Sequence, residues 1–298
     1  MSDTAPITTD FTRLFNIKYP IIGAPMFLVS NVEMVVAISE AGGLGTFPAL
    51  NFRPIEAYAA ALKQIKSRTR HPAGVNIIVN KGNPRQSEDL KYALDAGVEF
   101  FITSLGNPKT VIEEAHKNGA KVFCDVTNVT HAKKVQDLSA DGVIAVAVGA
   151  GGHAGSISPL VLIPWLKKEL SIPVVLAGGV AGGEGLTAAL ALGACAVSVG
   201  TRFIACHEAN VDPAYKQAIL RATPDDIVMT SKISGTPASV INNEYVRSLS
   251  SPQKPSWKSV WSAGQDVGLI DEILTCREIV EQMAQQYHDR LAKMTAET

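Results

Sequence analysis

No stretch of this 298-residue chain approaches the ~20 consecutive apolar residues that a membrane-crossing helix requires. The opening segment, Met1 to Asp10, is polar and carries two acidic residues. It lacks the basic start and apolar centre of a secretory leader, so the expected compartment is the cytoplasm. Basic runs are missing too. Lys and Arg number 27 against 28 Asp and Glu, a net charge of −1, and a nucleic-acid backbone finds no electrostatic footprint. Cysteine is sparse. Cys124, Cys195, Cys206 and Cys276 form no Cys-x-x-Cys pair and have no histidine at zinc-ligand spacing. They read as reduced, mostly buried thiols, and no metal site is expected. Finally, no strand-like run leads into a Gly-x-Gly-x-x-Gly turn with an acid about 20 residues on, which weighs against a doubly wound dinucleotide-binding sheet.

What the chain does have is apolar bulk, 46% of residues, with only 6% aromatics. Short β-rich runs alternate with longer amphipathic patterns. The runs are Pro20–Met26, Gly43–Ala49, Gly74–Val79, Phe100–Ser104, Lys121–Asp125, Gly142–Val148, Pro173–Ala177 and Ala196–Val199. Several are continuously apolar, as expected of parallel strands covered on both faces. Eight such units predict an α/β fold, a (β/α)8 TIM barrel forming one domain over residues 1–298. Residues 212–261 break the rhythm, with Pro252 and Pro255 among them, and are expected to form a lid inserted after strand 8. A last amphipathic helix is predicted from Ile270 to about Lys293.

In a β/α barrel, chemistry collects at the loops after the strands. Ala177-Gly178-Gly179 follows strand 7 and Gly200-Thr201 follows strand 8. Glycines there let backbone N–H groups approach a phosphate, and the Thr201 hydroxyl adds a donor. Gly149 to Gly155 sets His153 among glycines after strand 6, where an imidazole titrating near neutrality can take a proton. Ala24-Pro25-Met26 ends strand 1 and Asn76 lies in strand 3, each an ambiguous signal alone. His71, His116, His131 and His288 are expected to face solvent, with His207 a weaker candidate for the barrel mouth.

Together, Pro20–Met26, Ala41–Gly45, Gly74–Asn76, Ala150–Gly155, Pro173–Val180, Gly193–Phe203 and Ser262–Gln265 resemble the nitronate monooxygenase family, once called 2-nitropropane dioxygenases. Flavin-dependent enoyl-acyl carrier protein reductases and some flavin quinone reductases are similar as well. The resemblance spans about residues 11–290 and implies bound FMN. It puts the phosphate at Gly178, Gly179, Gly200 and Thr201, and the ring against Ala24, Pro25 and Met26, with Asn76 touching the cofactor. It makes His153 the base that removes the proton α to a nitro group, yielding a carbonyl compound and nitrite with dioxygen.

Two departures stand out. Some relatives carry a flavin-contacting Lys where this chain has Asp125, a charge of the wrong sign for a reduced, anionic flavin. Asp125 is left three roles: facing substrate, binding a ribityl hydroxyl, or pairing with a cation such as Lys81. Relatives also often place an acid shortly before the histidine, and Val146–Ala150 has none. The expected partner is a small-molecule substrate, with a homodimer through outer helices the expected assembly. The alternatives are an FMN reductase of quinones or enoyl thioesters using NAD(P)H, a flavin-free phosphosugar enzyme, and a non-catalytic flavin carrier.

Overall fold

The computed structural model describes residues 4–249 and 259–296. The strands are β1 (Ile21–Gly23), β2 (Leu44–Pro48), β3 (Ala73–Ile78), β4 (Phe100–Ser104), β5 (Lys121–Val126), β6 (Gly142–Val146), β7 (Gly152–His153), β8 (Val174–Ala177), β9 (Ala196–Val199), β10 (Ile227–Thr230) and β11 (Ala238–Ile241). The helices are α1 (Asp10–Phe15), α2 (Val32–Glu40), α3 (Ile55–Arg68), α4 (Gln86–Asp95), α5 (Lys109–Lys117), α6 (Val129–Asp137), α7 (Pro159–Glu169), α8 (Gly183–Ala191), α9 (Thr201–Ile204), α10 (Pro213–Arg221), α11 (Glu244–Ser248) and α12 (Cys276–Ala296). Eight parallel strands, β1 to β6 with β8 and β9, close into a barrel. The predicted (β/α)8 fold is the observed one. Among the described residues, no helix is long and apolar enough to cross a membrane.

The sequence explains the helix boundaries locally. Asn31 caps α2 by accepting from the Met34 N–H, and Gly42 follows the helix with φ +94°. Asn128 caps α6 in the same way through the His131 N–H. On the barrel's inner side, Ile22, Leu44, Phe100, Phe123, Ile144 and Val175 form one apolar cluster with Phe11 and Phe15 of α1. So α1 plugs one end of the barrel with aromatic rings: Phe11 meets Phe100 edge-on at 5.9 Å and Phe123 at 5.8 Å. Gly142 leaves room for this, since a Cβ there would lie 2.4 Å from the Phe123 ring.

Three expectations need correction. Strand 1 covers only Ile21–Gly23, because Ala24 to Met26 turn outward while Ala24 N–H still bonds to Val199 O at 2.8 Å. Strand 6 ends at Val146, two residues early, where the chain bends into its glycine loop. The last helix begins at Cys276, not Ile270. Leu274 pairs instead with Cys206 as an isolated bridge. Thr275 then caps the helix reciprocally with Glu278, their hydroxyl and carboxylate accepting from each other's N–H.

The segment after strand 8 has its own order. α10 leads to β10, which pairs antiparallel with β11, and β11 pairs antiparallel with β7 from the glycine loop. Pro252 and Pro255 lie outside the described residues.

Candidate active site

One large cavity, about 1830 Å³, opens at the C-terminal end of the barrel. Ala24, Pro25, Met26, Asn76, Asp125 and His153 all line it, as do Ala177, Gly178, Gly179, Gly200 and Thr201. The topology does this work: apart from His153, which the loop after β6 carries, these residues sit near or just beyond barrel strand ends, and a closed parallel barrel turns all those ends to one face.

The loops after β8 and β9, the seventh and eighth barrel strands, form a cradle. Gly178 adopts φ +116°, and a Cβ there would lie 2.8 Å from Ala150 N. Gly179 adopts φ +75° with nothing within 4 Å of its Cβ position, so its backbone faces open space. Among the described residues, the Gly179 N–H donates to no protein acceptor. These are the properties of an anion site built from main chain. The Thr201 hydroxyl is already engaged. It accepts from Gly264 N–H at 3.0 Å and donates to the Asp266 carboxyl. Asp266 also lines the cavity, and burial pushes its carboxyl up to about 7 against the opposing Thr201 bond.

A polar chain crosses the ends of β3, β4 and β5. Asn76 Nδ2 donates to Ser104 Oγ at 2.7 Å, and Ser104 Oγ donates to Asp125 Oδ2 at 2.5 Å. Burial pushes Asp125 up to about 6, with the Ser104 bond working the other way. Lys81 is exposed, and among the described residues no ion pair joins it to Asp125, whose carboxylate accepts from Ser104 instead.

His153 sits on β7, opposite Ala238 of β11. Its Nε2 lies 2.8 Å from Ser234 Oγ. Burial lowers the pKa of the half-buried ring below its ordinary 6.5, which favours the neutral imidazole. The glycine loop is therefore not simply open: a strand of the following segment fixes it.

The remaining histidines divide. His116 contacts Asp141 at 2.7 Å, and His288 contacts Ala5 O at 2.8 Å. His207 is exposed and lies outside the cavity wall. His131, expected to face solvent away from the mouth, is exposed but lines the cavity with Lys134 of α6 and its capping residues Asn128 and Leu138.

A family model described as nitronate monooxygenase matches residues 8–258. The chain belongs to the nitronate monooxygenase family. It is 31% identical to a probable nitronate monooxygenase of Staphylococcus saprophyticus, over 82% of this chain and 81% of that one. It is 32% identical to the (3aS,4S,5R,7aS)-5-hydroxy-7a-methyl-1-oxo-octahydro-1H-indene-4-carboxyl-CoA dehydrogenase of Mycobacterium tuberculosis, over 82% of this chain and 69% of that one. The solved structure of FabK from Thermotoga maritima superposes with a TM-score of 0.89 at 31% identity, covering 98% of this chain and 100% of that one. Nitronate monooxygenase family members are flavoenzymes, and this chain is an oxidoreductase.

Within the nitronate monooxygenase family frame, sequence reasoning missed Ser104, Ser234 and Asp266. A lone serine at a strand end carries no special signal. Ser234-Gly-Thr-Pro237 reads as a turn, and nothing local ties it to a histidine 81 positions away. Asp266 adjoins the Ser262–Gln265 motif, which was the available pointer. Tyr215 and Trp261, stacked at 5.4 Å and 8°, complete the wall beside it.

Proposed function

We propose that the chain binds FMN and oxidises nitronates and neutral nitroalkanes with dioxygen to a carbonyl compound and nitrite. The observation that carries this reading is a neutral, oriented imidazole, His153, facing the same cavity as the glycine cradle. The cradle suits a phosphate, and the residues at the ends of β1 and β3 suit a flat heterocycle. Bound FMN would supply the two-electron acceptor and the route to dioxygen. The chain's own part is to hold and deprotonate substrate.

His153 takes the proton α to the nitro group. Ser234 fixes the ring's orientation, so no reorganisation is needed at the moment of transfer. Gly178 and Gly179 hold the cofactor phosphate by main chain, with Gly200 and Thr201 across from them. Residues 212–249 act as a lid. Met229, Pro237 and Trp261 wall the cavity and limit water.

Gly178→Ala is expected to weaken FMN binding at least about tenfold, about 1.4 kcal/mol. Both its positive φ and its 2.8 Å approach to Ala150 exclude a side chain. Fluorescence titration of the stripped protein with FMN measures this, and unchanged affinity would remove the cradle from the phosphate site.

Asp125 faces this cavity with a carboxyl that is neutral at pH 5 and ionised at pH 8. A negative charge opposes adding electrons to a nearby flavin. Asp125→Asn should therefore raise the flavin midpoint potential at pH 8 by about 30 mV, about 1.4 kcal/mol for a two-electron couple. At pH 5 the two proteins should agree. Dye-equilibration potentiometry reads both, and equal potentials at pH 8 would put Asp125 outside the flavin's field.

One observation favours a second reading, reduction of a thioester. The cavity exceeds the roughly 300–1,000 Å³ of an ordinary small-molecule site, and its wall reaches α6, room that suits a long substrate such as the CoA ester named for the mycobacterial relative. Anaerobic addition of propyl-2-nitronate and, separately, NADPH separates the two. Bleaching of flavin bands by the nitronate alone supports the proposal, whereas bleaching by NADPH alone moves the chain to the reductases.

A further inference from the structure

Outside the cavity, two thiols and a carboxylate converge. Cys206 follows α9 and Cys276 opens α12, and both are fully buried. Their Sγ atoms lie 3.4 Å apart. Glu208 brings a carboxylate oxygen to the same point, all three ligand atoms lying within 4.8 Å of one another. Both Glu208 oxygens accept from the Cys276 N–H at 3.0 Å. That bond caps the helix, and it also aims the carboxylate while leaving lone pairs for another partner.

A second observation concerns charge. Arg202 is 4% exposed, and among the described residues it makes no ion pair within 4 Å. It donates to Glu272 O at 2.9 Å and to Ala205 O at 3.5 Å, and its charge is felt by Cys206 and Cys276. Glu272 and Asp271 also act on this buried guanidinium, and negative charge developing on the two sulfurs beside it would favour it further. Two thiolates, one carboxylate and a divalent ion sum to −1, and Arg202 sets a positive charge beside them.

We propose that Cys206, Cys276 and Glu208 bind one thiophilic divalent cation of the zinc type, with solvent as fourth ligand. Thiolate with carboxylate is a donor set such ions take in four-coordinate sites. Glu208 is only half-buried and gives the site its opening to solvent. On binding, each thiol gives up its proton and forms a sulfur–metal bond, so one ion releases two protons and no electrons move. The ion would tie the first residue of α12 to the strand 8 loop segment that carries Gly200 and Thr201.

Cobalt(II) is the probe. The full-length protein is chelator-treated, reduced and titrated with Co2+. A thiolate charge-transfer band and d–d bands beyond the flavin absorption should appear, saturating at one ion per chain with release of two protons. Cys206→Ser should abolish the charge-transfer band, Glu208→Gln should weaken binding about tenfold or more, and Cys195→Ser should change neither. Zn2+ should raise Tm in the native protein and not in Cys206→Ser. Absence of the bands while all four thiols titrate as reduced overturns the proposal, as does their persistence in Cys206→Ser. If Cys206→Ser fails to fold, proton release in the native chain decides: fewer than two protons per ion overturns it.

Discussion

His153→Asn lowers kcat/KM for a neutral nitroalkane by about 10²–10⁴-fold, while turnover of the corresponding preformed nitronate falls less than about threefold. The asymmetry follows from the chemistry, since a nitronate has already lost the proton His153 would remove. Asparagine keeps a polar group beside Ser234 but cannot accept a proton. The flavin content should be unchanged, because the histidine lies on β7 rather than in the glycine cradle. The pH profile adds an independent readout. The base must be neutral to act, and burial lowers the imidazole below its ordinary 6.5. With the neutral nitroalkane, kcat/KM of the native enzyme should rise with pH, level off above a pKa below 6.5, and stay flat through neutrality. That rise should vanish in His153→Asn. Equal losses on nitroalkane and nitronate would instead mean that His153 positions substrate and is not the base.

The second large effect is on stability. Asp266 is 5% exposed, and its carboxyl is pushed up to about 7. The unfolded chain releases this proton near 3.9. Between those values the folded state holds a proton that the unfolded state has given up. Stability therefore falls as pH rises from about 4 to about 7, and is flat above. About three pK units correspond to at most about 4 kcal/mol. Asp266→Asn removes the ionisation while keeping an acceptor for the Thr201 hydroxyl. At pH 8 the flavin-stripped variant should melt higher than the native chain, by roughly ten degrees at the upper limit. At pH 4.5 the gain should be nearly gone. A gain of equal size at both pH values would show that packing, not ionisation, sets it.

The barrel was legible because its signal is local. Runs such as Phe100–Ser104 and Ala196–Val199 are short, apolar and bounded by turn residues, and the structure reproduces both ranges. The place of Gly178, Gly179 and Gly200 in the cavity wall was legible for a related reason: they directly follow the last two barrel strands. The α1 plug was not, because six residues are too short for a helical period to show, and the rings they meet lie some 90 and 110 positions on. The start of α12 misled because Ile270 to Leu274 is apolar without being helical, and the Thr275–Glu278 capping pair was the better marker. The site's polar partners, Ser104 for Asp125 and Ser234 for His153, arise from tertiary folding alone.

The pairing of β7 with β11 makes the segment after strand 8 more than a cover. His153 is in register with Ala238 and Gly152 with Ser239. Side chains alternate faces along a strand, so a slip of one residue would turn the imidazole away from the cavity. A specificity change made by exchanging residues 227–241 for those of a relative would thus move the base as well. In the proposed reaction, substrate choice and proton abstraction would be tied to this one strand pair and its register.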